Sequence, residues 1–362
     1  MAGPLKGIRI VEFEGIGPAP YCGMLLSDLG ADVVRVARPN VDRGPMIPDK
    51  KGAPIDRGRR TLTLDLKSPD GTAAAMDLLA AADGCIEGLR PGVMERLGLG
   101  PDDAFARNPR LVYCRITGWG QEGPWARTAG HDLSYIALSG ALAAMGEPGR
   151  PPVPPLNLVG DYGGGGLYAA FGIVSALLSA ARTGRGQVVD AAMIDGAASQ
   201  MTMIYGMAAQ GLWLAERGQN LLDGGAPYYR CYTCADGRYL AVAAIEPPFF
   251  RALMEGLALD PGAWDQADRS QWPQLTAEIA DRIVTRARDD WAEAFEGTDA
   301  CVAPVLDMAE APAHPHNKDR EAFIGHPPQP APGPRFSLTP GEAGQSAPAT
   351  LTDILETWAD KT

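Results

Sequence analysis

Short runs of β-branched residues alternate with stretches of helical spacing in the first third of the chain, and this alternation limits the possible folds. Five runs predict strands, namely Gly7–Phe13, Ala31–Val36, Thr61–Leu66, Gly84–Leu89 and Leu111–Thr117. Three stretches between them predict helices, namely Tyr21–Leu29, Gly71–Ala82 and Asp102–Ala106. Strands that alternate with helices pair in parallel, with helices on both faces of the sheet. We therefore predict an α/β, doubly wound large domain.

The rest of the chain predicts a second, smaller domain, as its length of 362 residues also suggests. Two strand-like runs within Tyr228–Ala244 flank the turn Ala235–Gly237, a pattern typical of a hairpin. The other predicted elements are a strand at Gln187–Met193, a long helix at Asp195–Leu214, helices near Pro248–Leu257, Trp272–Arg286 and Asp290–Phe295, a proline-rich arm beyond Ala311 and a final helix at Leu351–Ala359. We expect a large domain at 1–195 completed by 330–362, a linker helix at 196–227, a smaller α+β domain at 228–310 and a return linker at 311–329.

The net charge of −12 and the isoelectric point of 4.9 argue against a nucleic-acid surface, because phosphate backbones bind basic faces. One segment, from Arg35 to Lys67, is the exception, with a local charge of +5. Its basic residues are Arg35, Arg38, Arg43, Lys50, Lys51, Arg57, Arg59, Arg60 and Lys67. Two interpretations stay open, a solvated charged loop and a pocket for a phosphate-bearing ligand.

The six cysteines are scattered, and only Cys231 and Cys234 form a C-x-x-C pair. We therefore expect neither a disulfide framework nor a zinc site, and a reducing, cytoplasmic location. Residues 1–9 show no signal-peptide pattern. The weakly polar run Gly163–Ala181 is of borderline length for a membrane span and poor in large apolar residues. We expect it to form a buried helix and not a membrane span.

The loop Gly15-Ile-Gly17-Pro-Ala-Pro20 stands between a predicted strand and a predicted helix, where a dinucleotide fingerprint would occur. Pro20 replaces the third glycine of that fingerprint, and Pro18 lacks an N–H that could face a pyrophosphate. The loop therefore argues against a nicotinamide or flavin cofactor.

Two side chains are candidates for acid–base chemistry. His131 stands at the predicted start of an apolar helix, apart from the three histidines of the proline-rich arm. It is interpreted either as a helix-capping or core histidine or as a general base, since an imidazole titrates near pH ~6.5. Asp161 precedes a run of four glycines and the predicted buried helix. Its alternatives are a helix cap and a catalytic carboxylate.

Several ordered motifs along nearly the whole chain resemble those of family III CoA-transferases, the CaiB/BaiF type. Within that family the chain is similar to the racemases that act on 2-methylacyl-CoA thioesters. The motifs are Pro4-Leu-Lys-Gly-Ile-Arg9 with Gly15 to Pro20, Asp28-Leu-Gly-Ala-Asp-Val-Val-Arg35, Glu87-Gly-Leu-Arg-Pro-Gly92, Thr117-Gly-Trp-Gly-Gln-Glu-Gly-Pro124, Gly130-His-Asp132, Asn157-Leu-Val-Gly-Asp161, Gly186-Gln-Val-Val-Asp190 and Asp236-Gly-Arg-Tyr239.

The resemblance implies a Rossmann-like large domain, a small domain, long linkers and an interlocked homodimer. It implies a racemase that moves the α-proton of a 2-methylacyl-CoA through an enolate, with His131 and Asp161 as the two bases and Glu246 orienting the imidazole. The alternative is a CoA-transferase with Asp161 as the nucleophile. No metal and no redox cofactor is implied, and coenzyme A enters as part of the substrate. On the residues alone, Glu246 is also interpreted as a polar residue that closes a strand.

The resemblance also implies where coenzyme A binds. Basic side chains would meet its phosphates, two backbone edges would meet its nucleotide, and further residues would lie near its pantetheine or the enolate oxygen. The expected phosphate contacts are Arg38, Lys67, Arg90 and Arg96, the backbone edges are Leu64, Asp65, Leu66 and Lys67 with Gly88, Leu89 and Arg90, and the remaining residues are Gly130, Asp132 and Tyr135.

Overall fold

The structure is a computed structural model that describes residues 3–39 and 53–359. The strands are β1 (Arg9–Phe13), β2 (Asp32–Ala37), β3 (Arg60–Thr63), β4 (Gly84–Glu87), β5 (Val112–Thr117), β6 (Val188–Ala192), β7 (Tyr229–Thr233), β8 (Tyr239–Ala243), β9 (Val302–Pro304), β10 (Phe323–Ile324), β11 (Gln329–Pro330) and β12 (Ala347–Pro348). The α-helices are α1 (Pro18–Asp28), α2 (Pro69–Ala81), α3 (Val93–Arg96), α4 (Pro101–Arg107), α5 (Asp132–Leu138), α6 (Tyr168–Thr183), α7 (Met193–Gln200), α8 (Thr202–Ala209), α9 (Pro247–Gly256), α10 (Trp272–Ile283), α11 (Arg288–Ala294), α12 (Pro315–Asp319) and α13 (Leu351–Ala359).

The described residues divide into two compact units. The first unit contains the chain up to Ala141, then Pro155–Thr202, then the chain from Ile324 onward. The second unit contains Leu142–Pro154 and Met203–Phe323.

The first unit is built on a seven-stranded sheet in the order β12-β3-β2-β1-β4-β5-β6. All of its registered pairs are parallel. The order 3-2-1-4-5-6 is that of the doubly wound dinucleotide-binding fold, in which successive helices cross on both faces. The predicted α/β class and parallel sheet are therefore confirmed, and each of the six strands predicted for this sheet forms within a few residues of its expected place.

The chain returns to this sheet at its C-terminal end. β12 pairs with β3 at the sheet edge, and α13 packs on α2. Trp358 of α13 is 1% exposed, and its indole N–H donates to Asp32 Oδ2 over 3.0 Å. One indole therefore fixes the final helix to the start of β2.

The helix predicted at Gly163–Ala181 is buried on one face only. Ala169, Ile173, Ala176 and Ala180 of α6 lie in the core against the sheet. Phe171, on another face, is 72% exposed. The whole helical stretch, 158–183, is long and apolar enough to cross a membrane by length and composition, and 44% of its most apolar window is buried within the chain. The expected buried helix therefore forms, and it is buried on the face that packs against the sheet.

The long helix predicted at Asp195–Leu214 is two shorter helices. α7 ends before Met201, whose N–H turns to the carbonyl of Ala198, three residues back. α8 ends at Ala209, and Gly211 then adopts a φ of 72°, a left-handed conformation that ends helices. No proline stands within Asp195–Gln210, so the sequence did not reveal the break after Gln200.

The second unit contains a three-stranded antiparallel sheet in the order β7-β8-β9. β7 and β8 are the hairpin predicted around Ala235–Gly237. The core of the second unit is formed by aromatic and aliphatic residues of the sheet and of α9, α10 and α11, among them Phe250, Trp272 and Trp291. The three helices predicted in this region form within a few residues of their expected bounds.

Most of the described basic residues between Arg35 and Lys67 are used inside the fold. Arg59 is fully buried and pairs with Glu12 over 3.3 Å, and Arg57 pairs with Asp28. Arg35 pairs with Asp56 over 2.6 Å, and Arg60 pairs with Asp32 over 2.9 Å. Arg43, Lys50 and Lys51 lie outside the described residues. The paired arginines are therefore not a solvated loop, and of the described basic residues of this segment Arg38 and Lys67 are exposed. These two stay candidates for contact with a phosphate-bearing ligand.

We predict that Arg59→Ala lowers the free energy of unfolding by about 3–5 kcal/mol, because it removes one partner of the fully buried Arg59–Glu12 ion pair. Arg107→Ala is the matched control, since the Arg107–Asp77 pair is about half exposed and such pairs contribute about 0–1 kcal/mol. Urea denaturation measures both. Equal, small losses in the two variants would contradict the prediction.

Candidate active site

The loops at the carboxyl ends of the central parallel strands build the candidate site. β1 ends at Phe13, and its loop leads to Gly17 at the start of α1. β5 ends at Thr117, and its loop leads to His131 at the start of α5. Parallel strands bring such loops to one edge of the sheet, where doubly wound proteins bind their ligands.

Asp161 lies inside a continuous helix and not ahead of one. Leu158–Leu167 form a π-helix that runs directly into α6. The alternative in which Asp161 caps a helix start is therefore wrong. π-helical turns are rare in proteins overall, and those that occur are often found at functional sites.

The glycines of the π-helix let it lie directly against two neighbouring helices. A Cβ added to Gly164 would be 2.7 Å from the backbone nitrogen of Ala197 in α7, and one added to Gly166 would be 2.7 Å from the ring of Tyr21 in α1. No side chain fits at such separations. The rings of Tyr21 and Tyr162 stack with centroids 4.2 Å apart. The π-helix is thus packed against α1 and α7.

Close neighbours surround the carboxyl of Asp161. Its Oδ2 lies 3.5 Å from Asn157 Nδ2, and a Cβ added to Gly17 would be 2.8 Å from the same oxygen. Its backbone N–H donates to Asp132 Oδ2 over 2.6 Å. Burial and the negative charge of Asp132 raise the pKa of Asp161 from 3.8 to about 6, and the smaller effects of Asn157 and His131 oppose this rise.

His131 immediately precedes α5, and its side chain is exposed. It occupies the N-cap position of that helix, but its side chain makes no capping hydrogen bond and is not in the core, so neither role accounts for the imidazole. The neighbouring Asp132 is 6% exposed and bonds to the backbone of Asp161. The structure therefore brings an accessible imidazole and a half-buried carboxyl to one place.

Tyr135 has a packing role in this region. Its ring meets Trp119 edge-on with centroids 4.8 Å apart. A Cβ added to Gly130 would be 2.6 Å from the same ring, so glycine is needed there. Burial and the charge of Asp161 raise the pKa of Tyr135 to about 12. Its hydroxyl is therefore a proton donor and not an anion at neutral pH.

The four basic side chains expected at the coenzyme A phosphates are all exposed. They follow the carboxyl ends of three strands within the run β3-β2-β1-β4 of the sheet, with Arg38 after β2, Lys67 after β3, and Arg90 and Arg96 after β4. The structure thus orders them along the same edge of the sheet as the loops of the candidate site.

The backbone edges expected at the nucleotide already make internal hydrogen bonds. The N–H of Leu64 bonds to the end of β2, and the N–H of Lys67 donates to Asp65 Oδ1 over 3.0 Å. The N–H of Leu89 donates to Glu87 Oε2 over 2.7 Å. The carbonyl oxygens of Asp65, Leu66 and Arg90 also accept internal hydrogen bonds, from Ser68, Thr72 and Val93 respectively.

Glu246 lies in the second unit, at the residue that precedes α9. Its side chain is exposed and makes no capping hydrogen bond. Its charge raises the pKa of the neighbouring Cys301 thiol, although burial contributes more to that rise.

Sequence reasoning missed the residues that support Asp161. Asn157 lies one π-helical turn before it, and Gly17 approaches it from the loop after β1. The segment Asn157-Leu-Val-Gly-Asp161 stood out only as a motif, and the Gly15–Pro20 loop was considered only as a motif and as a dinucleotide loop. The sequence offers only a weak signal for this contact, namely a glycine in the loop after β1 and a run of four glycines after Asp161, both of which permit close approach.

The fold and the site define the chain as a parallel α/β protein with paired acid–base groups at the carboxyl edge of its sheet. Residues 5–353 match the model of CoA-transferase family III, and the chain belongs to that family.

Named relatives and a solved structure agree with this membership. The chain is 45% identical to alpha-methylacyl-CoA racemase of Mus musculus over 93% of its length and 87% of the relative's. It is 44% identical to the protein of that name in Homo sapiens over the same shares. A CAIB/BAIF family protein from Brucella suis superposes with a TM-score of 0.82 and 30% identity over 100% of both chains.

We predict that Asp161→Asn stabilises the folded chain at pH 7 but not at pH 4. The pKa of Asp161 is about 6 when folded and 3.8 ordinarily, so the folded state holds more protons in that window. The contribution of the protonated Asp161 carboxyl to the free energy of unfolding is complete below pH 3.8 and is lost as the pH rises through about 6. Urea midpoints of wild type and variant at both pH values measure this difference. An equal effect at the two pH values would contradict the raised pKa.

Proposed function

We propose that this chain interconverts (2R)- and (2S)-2-methylacyl-CoA thioesters by moving the α-proton between the two faces of an enolate. The observation that carries the proposal is that the exposed imidazole of His131 lies close enough to the half-buried carboxyl of Asp161 to affect its pKa, while the adjacent Asp132 bonds to the backbone of Asp161. The identity to the mouse and human racemases supports the same activity.

In the proposed reaction one base removes the α-proton, and the electron pair of the broken C–H bond moves into the thioester to give an enolate. The acid on the opposite face then protonates the α-carbon, which inverts the centre. His131 and Asp161 exchange these roles when the other enantiomer reacts. Coenzyme A enters as part of the substrate, and no further cofactor takes part.

The remaining residues supply binding and orientation in this proposal. Arg38, Lys67, Arg90 and Arg96 meet the phosphates of coenzyme A, a role supported by their exposure along one sheet edge. Glu246 orients the imidazole of His131 and stabilises its charged form.

CoA transfer through Asp161 as a nucleophile is the alternative within the same family. It requires a free carboxylate as acceptor, whereas the racemase requires none. His131 favours the racemase, because a second base has no use in the formation of an acyl anhydride.

We predict that each base exchanges the α-proton of one enantiomer only. In heavy water His131→Ala should lose inversion yet still exchange the α-proton of one enantiomer, because Asp161 still meets its own face of the substrate. Asp161→Asn should do the converse. Proton NMR of each pure enantiomer of a 2-methylacyl-CoA measures exchange, and chiral analysis measures inversion.

Asp195→Asn, an exposed carboxylate on α7, is the control and should retain inversion. Exchange of both enantiomers by either site variant would show that another residue holds that proton. Acyl exchange by wild type that needs an added free carboxylate would favour the transferase.

We propose further that two copies form an interlocked homodimer with the site shared between them. An exposed apolar stripe on the π-helix and α6 supports this, since contiguous apolar surface of this kind commonly marks an interface. Its members are Leu167, Phe171, Val174 and Leu178, which are between 40% and 72% exposed.

We predict that mixed dimers of two inactive variants regain activity. If His131 of one copy works with Glu246 of the other, His131→Ala and Glu246→Ala chains refolded together should form one intact site per heterodimer. Activity after purification of the doubly tagged heterodimer measures this. No recovery in verified heterodimers would place both residues of a site in one chain.

We propose a reducing, cytoplasmic location. The six cysteines are all free thiols, and Cys22, Cys85 and Cys114 are buried in the sheet core, which supports a reducing compartment. Cell fractionation with an antibody against the chain tests the location.

A further inference from the structure

Asp132 is a buried carboxylate placed directly behind Asp161. It is 6% exposed, and its Oδ2 accepts the backbone N–H of Asp161 over 2.6 Å. A Cβ added to Gly160 would be 2.6 Å from the same oxygen, so the two segments touch. Its Oδ1 is buried and has no hydrogen-bond partner among residues 3–39 and 53–359.

Such an arrangement has a cost that packing does not explain. A buried carboxylate oxygen without a donor is unfavourable, and a second carboxylate beside it adds like-charge repulsion. A neutral side chain could accept the same N–H without that repulsion. The charge of Asp132 therefore points to a role in the chemistry of Asp161.

The other groups that face Asp161 do not supply this negative charge. From α5 come His131, which is cationic when charged, and Tyr135, which is neutral at neutral pH. From α1 comes Tyr21, a phenol stacked on the π-helix. The acidic residue of α7, Asp195, is exposed. Within the described chain Asp132 is the anion in contact with the backbone of Asp161.

We propose that Asp132 is a positioning residue that fixes the backbone of Asp161 and, through its charge, keeps the carboxyl of Asp161 able to donate a proton at neutral pH. This role rests on the proposed two-base racemase, in which one base must hold a proton while the other is free.

The amount of protonated carboxyl shows why this matters. At pH 7 a carboxyl with an ordinary pKa is protonated in roughly one molecule in a thousand. With a pKa of about 6 it is protonated in about a tenth of the molecules. One enantiomer reacts only when Asp161 carries the proton that it gives to the enolate. With the raised pKa, a far larger fraction of the enzyme molecules is in that protonated form.

The test compares the pH profile of kcat/KM for racemisation in wild type and Asp132→Asn. The amide oxygen can still accept the N–H of Asp161, but the charge is gone. We expect the acidic limb of the profile to move down by roughly one pH unit. Asp190→Asn is the matched control. Asp190 Oδ2 also accepts a backbone N–H, that of Gln121, over 3.0 Å, but it does not bond to Asp161. Its limb should not move.

The outcomes separate the two proposals. A wild-type chain without racemisation overturns the proposed function. A racemising wild type whose limb stays in place in Asp132→Asn, with kcat lowered equally at every pH, overturns the role of Asp132 alone and leaves the function intact. If Asp132→Asn does not fold, Asp132→Ser removes the charge with a smaller side chain, and the same shift of the limb is expected.

Discussion

The parallel pairing of β1 with both β2 and β4 is the constraint on which the rest of the structure depends. β1 is followed in sequence by β2 on one side, while β4 lies on its other side, so the strand order reverses there. Helices that follow strands on the two sides of such a point leave on opposite faces, and a cleft opens at the carboxyl ends. The loops after β1, β4 and β5 all end at this cleft, which is why Gly17, Arg90 and His131 belong to one region although they are far apart in sequence.

Buried charges connect this sheet to its loops. Glu87 at the end of β4 is fully buried, pairs with Arg115 of β5 over 2.8 Å, and accepts the N–H of Leu89 over 2.7 Å. The ion pair therefore fixes the first turn of the loop that carries Arg90. Burying a paired charge contributes little to net stability, because desolvation offsets the attraction. The gain is in geometry, since a carboxylate with two partners holds strand and loop in one arrangement.

The features that could be predicted from sequence are those set by local pattern. Strand and helix positions follow from alternation, and the β7–β8 hairpin follows from its Asp-Gly turn. What could not be predicted depends on contacts distant in sequence. Arg57, Arg59 and Arg60 read as a free basic cluster because nothing nearby in sequence shows that acidic partners from α1, β1 and β2 neutralise them. A helix cap stayed open as an interpretation of Asp161 because π-helical turns have no simple residue pattern that would reveal its place inside a helix.

The segment around Asp161 is locally less stable than a regular α-helix would be. Ten residues adopt a π-helix in place of better hydrogen-bonded α-helical turns, four glycines lose conformational freedom there, and a carboxylate is half-buried beside another. Each of these features is unfavourable by itself and persists only because α1, α5 and α7 pack around the segment. An α-helix through the same residues would alter the direction of the Asp161 carboxyl and separate its N–H from Asp132. The irregular backbone is thus the means by which a helix interior, normally inert, presents a carboxyl with a raised pKa toward the carboxyl edge of the sheet.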